Sequence, residues 1–133
     1  MMRTYEAGEH SRAAWASVAG TLDKIEALDF LDRLAVGDLD ARSFVNYIHQ
    51  DGLYLTGYAK AMSLLAAKAP TPEQARFWNR SAADAVAAEE AMHADLLSDE
   101  RFAKVSEELA TGGAAGASPT TLGYVSYLVA TAA

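Results

Sequence analysis

This chain of 133 residues has no cysteine. Its residues can therefore form no disulfide, no thiolate metal site and no cysteine nucleophile. Cationic side chains are scarce, because 11 lysines and arginines stand against 18 aspartates and glutamates. The net charge of −7 gives no basic surface for nucleic acid or anionic lipid. No apolar run approaches the ~18 residues of a membrane span, and residues 1–12 lack the apolar core of a signal peptide. We therefore expect a cytoplasmic protein without nucleic-acid or membrane partners.

Apolar periodicity and helix-end signals predict an all-α chain with five helices and no strand. We expect them at about 12–35, with a possible break near 20–21, and at about 41–68, 73–97, 98–110 and 119–133. Gly37 has the position of a residue that ends a helix. Thr71 and Ser118 each precede a proline at the first helical position, which is typical of an N-cap. The candidates for the remaining two caps are Asp38 or Asp40, and Ser98 or Asp99.

The length of the chain is sufficient for one domain with one core, so we expect residues 1–133 to form a single helical domain. The last predicted helix reaches Ala133 without a stop signal. We therefore expect the domain to be incomplete at its C-terminus.

An aspartate lies in the middle of an apolar stripe in FVNYIHQDGLYLTGYAKAMSLL, residues 44–65. Tyr47, Tyr54 and Tyr58 are on the same side of the predicted helix as Asp51, within about two turns of it. Burial of an unpaired carboxylate is unfavourable and raises its pKa. A planar, hydrogen-bond-donating ligand would compensate the charge, and the tyrosine rings could stack on it. The alternative is a structural aspartate, next to Gly52, that pairs with a basic residue of another helix.

The next helix contains a weaker candidate site. Glu90 and His93 form the Glu-x-x-His step with which ferritin-like bundles bind paired irons, and Glu89 fits the apolar stripe beside them. A di-metal site needs further carboxylates and usually a second such pair. The alternative is a solvated or internally paired glutamate and histidine, and we expect no metal here.

Several segments together resemble one enzyme family. Three segments are similar to motifs of the thiaminase II (TenA) family: FLDRLAVGDLDARSFVNYIHQDGLYLTGYAKAMSLLAAKAP, EEAMHADLL and SPTTLGYVSYL. The match as a whole covers about residues 15–128. The block YIHQDGLYL is the most specific part, because Gln-Asp followed by Tyr-Leu at this spacing is not a general helix pattern.

The resemblance implies a haem-oxygenase-like helical bundle that binds no haem, and a cofactor-free enzyme. Members hydrolyse aminopyrimidines derived from thiamin, and many also cleave thiamin, in a pathway that salvages the pyrimidine. Asp51 would bind the pyrimidine and polarise its ring. Tyr54 and Tyr124 would line the pocket beside Tyr47, and Tyr124 would also hold the nucleophile in place. Homotetramers are usual in the family, which also carries an older label as a transcriptional activator.

The family's nucleophilic cysteine and its general-acid glutamate have no counterpart in these residues, which resemble about the first three-fifths of a family domain. We therefore expect the 133-residue chain alone to be inactive. Two alternatives stay open at this point. One is a non-catalytic or regulatory module that binds a pyrimidine or a related small molecule, and the other is a di-metal oxidase on the same bundle.

Overall fold

The computed structural model of the chain describes residues 8–112 and 116–133. All regular secondary structure in these two ranges is helical, with no strand, so the all-α prediction is confirmed. The six helices are α1 (Glu9–Glu26), α2 (Asp29–Val36), α3 (Ala41–Lys68), α4 (Pro72–Ser98), α5 (Glu100–Thr111) and α6 (Pro119–Ala132).

Helices α3, α4, α5 and α6 each begin with a side-chain N-cap at a position that the sequence predicts. Asp40, Thr71, Asp99 and Ser118 each accept a hydrogen bond from a backbone N–H two or three residues later, at 2.9 to 3.2 Å. Each bond satisfies one of the N–H groups that have no partner within the first helical turn. Where the sequence offers two candidate caps, the structure uses the second one in both cases.

The prediction of one helix over residues 12–35 is wrong, because two helices occupy this segment. The chain leaves the helix at Ala27 and Leu28, where Leu28 is extended at φ −73° and ψ 122°. Gly20, near which a break was expected, lies inside α1. An interior glycine costs only about 1 kcal/mol relative to alanine, so a helix tolerates it. Gly37 ends α2 in the left-handed region at φ +73°, as predicted.

The chain divides into two compact units, one up to Leu39 and one over Asp40–Ala133. The first contains α1 and α2, and neither helix has a fully buried residue. The second contains α3 to α6 and every buried core residue among those that the structure describes. The expectation of a single domain over residues 1–133 stays a prediction.

Small side chains dominate the main core of the second unit. Its buried members are Ala59, Ala61 and Met62 of α3, Ala82 and Ala85 of α4, and Ala132 of α6. Alanine allows the helix backbones to approach closely, so α3 packs against α4 on one side and α6 on another. A second cluster, made of Val45, Leu96 and Leu109, joins α3 to α4 and α5.

Among residues 8–112 and 116–133, no helix combines the length and the apolar character that a bilayer-crossing segment requires. Helix α3 is the longest element, with 28 residues, and it packs against α4, α5 and α6. It therefore positions the side chains that the sequence singles out.

Candidate functional site

Helices α3 and α6 bring together the four side chains that the sequence predicts for a ligand pocket. Tyr47, Asp51 and Tyr54 follow the helical spacing i, i+4, i+7 and lie along one face of α3. Tyr124 of α6 lies opposite them. A cavity of about 270 Å³ lies between these residues, and its remaining lining residues are Gln50, Thr120 and Thr121.

Asp51 is half-buried at the wall of this cavity. Within the described residues, no arginine, lysine or histidine forms an ion pair with its carboxylate. Burial disfavours the charged form, and it raises the pKa of the Asp51 carboxyl above its ordinary value. The structure therefore gives no support to the alternative in which a basic side chain of another helix neutralises this carboxylate.

Tyrosine rings form one wall of the cavity. Tyr54 stacks on Tyr124 with ring centroids 5.4 Å apart and an interplanar angle of 10°. Tyr58 supports Tyr54 from the next helical turn, at 5.8 Å and 39°. Tyr47 and Tyr124 are 41% and 53% exposed, so the cavity opens to solvent beside them.

The hydroxyl of Tyr54 stays protonated over a wide pH range. Its pKa is raised, first by burial and then by the neighbouring tyrosine Tyr124, with smaller effects from Tyr58, from a side-chain hydrogen bond with Tyr124 and from the charge of Asp51. A protonated phenol can donate a hydrogen bond. Tyr54 therefore offers the cavity an aromatic face, with a protonated hydroxyl next to Tyr124.

Gln50 also lines this site, although the sequence predicts no role for it. Its Nε2 donates to the Gly116 carbonyl at 3.1 Å, and its Oε1 accepts from the Ser118 N–H at 2.9 Å. The Gln-Asp pair was the most specific part of the family motif, which is the signal that could have drawn attention to it. A local pattern does not show a partner 66 or 68 residues away.

The residues of the weaker di-metal alternative lie at a different place. Glu89 and His93 line a second cavity of about 190 Å³ with His49 and Gly52, whereas Glu90 is exposed and does not line it. In the described part of the chain, no three histidine, aspartate or glutamate side chains are grouped so that they could bind a metal ion. The di-metal alternative, which needs Glu89, Glu90 and His93 to act together, therefore has no structural support.

Comparison with known sequences agrees with the helical fold. A sequence model described as the TENA/THI-4/PQQC family matches residues 22–133. The chain belongs to the TENA/THI-4/PQQC family. This family has a helical, haem-oxygenase-like fold, so the resemblance and the fold class inferred from the sequence motifs are both confirmed.

Two curated relatives of this TENA/THI-4/PQQC member are thiamine biosynthesis multifunctional proteins ThiED. The one from Corynebacterium efficiens is 32% identical over 124 residues, which cover 93% of this chain and 16% of the relative. The one from Corynebacterium glutamicum is 27% identical over 128 residues, which cover 96% of this chain and 15% of the relative. The chain thus spans about a sixth of the length of these relatives. No solved structure matches it significantly.

Proposed function

We propose that the cavity between α3 and α6 binds the pyrimidine ring of thiamin or of an aminopyrimidine derived from it. The family and the thiamine-biosynthesis names of its relatives support a role in thiamin metabolism. The observation that carries the proposal is the half-buried Asp51 carboxylate, which has no cationic partner among the described residues and faces an aromatic cavity. The corresponding activity is that of a thiaminase II-type aminopyrimidine aminohydrolase in pyrimidine salvage.

The chemistry of a 4-aminopyrimidine fits this carboxylate. Its exocyclic amine lies next to a ring nitrogen, and both can donate to one carboxylate when that nitrogen is protonated. Such charge-assisted, bidentate pairs are among the stronger hydrogen-bonded contacts in proteins. The raised pKa of Asp51 is consistent with a carboxyl group that needs its ligand in order to be stable as an anion.

The size and walls of the cavity restrict the ligand further. At about 270 Å³ it is close to the lower limit of ligand sites, which commonly measure about 300 to 1,000 Å³. This volume suits one substituted heteroaromatic ring better than a nucleotide. The stacked pair of Tyr54 and Tyr124 would face that ring, and substituents beyond it would extend through the open side near Tyr47.

Binding and hydrolysis require different residues, and this chain contains those proposed for binding but no cysteine for hydrolysis. The family resemblance assigns the attack on the ring to a cysteine thiolate and protonation of the leaving amine to a glutamate. None of the 133 residues is a cysteine. We therefore expect this chain to bind the aminopyrimidine and not to release ammonia from it. With a thiolate supplied, Asp51 would polarise the ring and Tyr124 would help to hold the nucleophile.

Isothermal titration calorimetry with 4-amino-5-aminomethyl-2-methylpyrimidine tests the proposal. Asp51→Asn keeps the shape of the side chain but cannot form the charged pair, so we expect a loss of about 2 kcal/mol, or about 30-fold in affinity. Asp84→Asn is the matched control, because Asp84 is exposed on α4 and away from the cavity. Equal affinities of wild type and Asp51→Asn would refute the role of Asp51.

The absence of cysteine favours a second candidate, a non-catalytic module that binds the same pyrimidine. An ammonia-release assay on the same samples tests what the two candidates share, because both expect these 133 residues to bind the aminopyrimidine without releasing ammonia. Turnover would contradict the module and also the assignment of the attack on the ring to a cysteine thiolate. By family resemblance we also propose a homotetramer in the cytoplasm. Light scattering coupled to gel filtration would test the tetramer by measuring the molar mass of the assembly.

A further inference from the structure

We propose that Gln50 is a positioning residue that fixes the start of α6 on α3 and thereby holds Tyr124 against Tyr54. Its effect on ligand affinity rests on the proposed function, whereas its effect on the two tyrosine rings does not. Gln50 immediately precedes Asp51 in α3, so adjacent residues would anchor the second helix of the site and supply its carboxylate.

The carboxamide of Gln50 uses both of its functional groups. Its Nε2 donates to the Gly116 carbonyl at 3.1 Å, and its Oε1 accepts from the N–H of Ser118 at 2.9 Å. These two partners lie on either side of Ala117, immediately before α6. A side chain with one donor and one acceptor can therefore clamp the backbone at the point where this helix begins.

The clamp connects directly to the cap of α6. Ser118 is the N-cap residue, and its Oγ accepts from the N–H of Thr121 at 3.1 Å. Its carbonyl accepts from the N–H of Leu122 at 2.8 Å, as the first bonds of a helix require. Tyr124 follows about one and a half turns after Ser118. The position of Ser118 therefore decides which ring of α6 meets Tyr54.

Other side chains at position 50 would not reproduce this arrangement. A glutamate there could accept from Ser118 but could not donate to the carbonyl of Gly116. A leucine would fill the space and leave both backbone groups without their partner. Since the Ser118 N–H is half-buried, losing the bond is expected to shift the start of the helix towards another partner or towards water.

The first experiment is a double-mutant cycle on ligand affinity, measured by calorimetry with the aminopyrimidine. Because Gln50→Leu loses one or two ordinary hydrogen bonds, we expect its affinity for the aminopyrimidine to be about tenfold lower than that of wild type. In a Tyr124→Ala background, Gln50→Leu should lower the affinity by less than about twofold, because Gln50 acts through the ring of Tyr124. Gln74→Leu is the control, since Gln74 is the other glutamine of the chain and is exposed.

Equal losses in both backgrounds would overturn the proposal, because they would show a direct contact with the ligand or a general loss of structure. Unchanged affinity of Gln50→Leu in the wild-type background would also overturn it. Gln50→Glu, which keeps the acceptor, should bind with an affinity between those of wild type and Gln50→Leu. It replaces the leucine variant if far-UV circular dichroism shows that the latter does not fold.

A second experiment needs no ligand and thus separates this inference from the proposed function. Near-UV circular dichroism and the alkaline absorbance titration of tyrosine both report on the Tyr54–Tyr124 pair. Gln50→Leu should reduce the tyrosine dichroism and lower the most alkaline tyrosine midpoint, and Gln74→Leu should change neither. Spectra of Gln50→Leu that match wild type would overturn the positioning role, whether or not the wild type binds a pyrimidine.

Discussion

Gly57 of α3 lies against Val125 of α6, and replacing it with alanine is a direct test of how these two helices pack. A Cβ atom at Gly57 would overlap Cγ1 of Val125 and lie 2.9 Å from its Cγ2 and 3.1 Å from its Cβ. Rotation about χ1 of Val125 cannot remove all three contacts, because its Cβ stays in place. A β-branched residue in a helix is also largely restricted to one rotamer.

The expected magnitude is the difference between a steric cost and a gain in helix propensity. Overpacking a core site costs about 1 to 3 kcal/mol, and the overlap with Val125 favours the upper end. Alanine in place of a helical glycine contributes about 1 kcal/mol in the opposite direction. We therefore expect Gly57→Ala to lower the free energy of unfolding by about 2 kcal/mol.

Urea denaturation monitored by tryptophan fluorescence measures this change. Trp15 lies in α1 and Trp78 in α4, so a Trp15→Phe background leaves a reporter only in the α3–α6 unit. Gly123→Ala is the matched control, because Gly123 is in α6 and a Cβ atom there would meet nothing within 4 Å. It should raise the free energy of unfolding by about 1 kcal/mol.

A compensating variant identifies the cause of the loss. Val125→Ala removes both γ carbons, so adding it to Gly57→Ala should restore part of the lost stability, and the two changes should be non-additive. If Gly57→Ala stabilised the protein as much as Gly123→Ala does, α6 could not lie where the structure places it. The wall formed by Tyr54 and Tyr124 would then also lose its basis.

Three further substitutions test other parts of the same unit. Asp51→Asn should be more stable than wild type at pH 7 in urea denaturation. Because the folded-state pKa of Asp51 is raised, its charged form destabilises wild type above that pKa, and wild type regains this stability as the pH falls through the pKa towards about 4. A stability difference between the two proteins that does not change with pH would contradict the burial effect. Thr71→Ala should lower the free energy of unfolding by about 1 kcal/mol, because the N–H of Gln74 loses its acceptor, whereas Thr71→Ser should have little effect; equal losses would exclude the cap as the cause. Leu96→Ala should cost about 2 to 5 kcal/mol in the same assay because Leu96 is only 6% exposed, against less than about 0.5 kcal/mol for Leu97→Ala at 46% exposure, and similar values would contradict the core assignment.

Local signals predict most of the helices and their ends. Thr71 and Ser118 cap helices that begin with proline, and Gly37 ends α2, because these effects involve only residues within one turn. The break at Ala27 and Leu28 was not predicted. No glycine or proline marks it, so the pattern there does not differ from that of a continuous helix.

The sequence also indicates the centre of the candidate site but only part of its surroundings. Helical spacing alone aligns Tyr47, Asp51 and Tyr54 on α3, so their proximity follows from local geometry. The family motif suggests Tyr124 as a site residue but does not show which residue it contacts. Its stacking on Tyr54 at 5.4 Å is a tertiary feature, because it requires α6 to pack on this face of α3.

By itself, the sequence determined that the chain is helical, where most helices begin, and that α3 presents a carboxylate among tyrosine rings. These properties depend on interactions between residues a few positions apart. Only the tertiary structure decided that Gln50 binds the backbone before α6 and that Gly57 leaves room for Val125. Both depend on residues more than 60 positions apart, which no short-range pattern connects, and together they bring Tyr124 to the carboxylate.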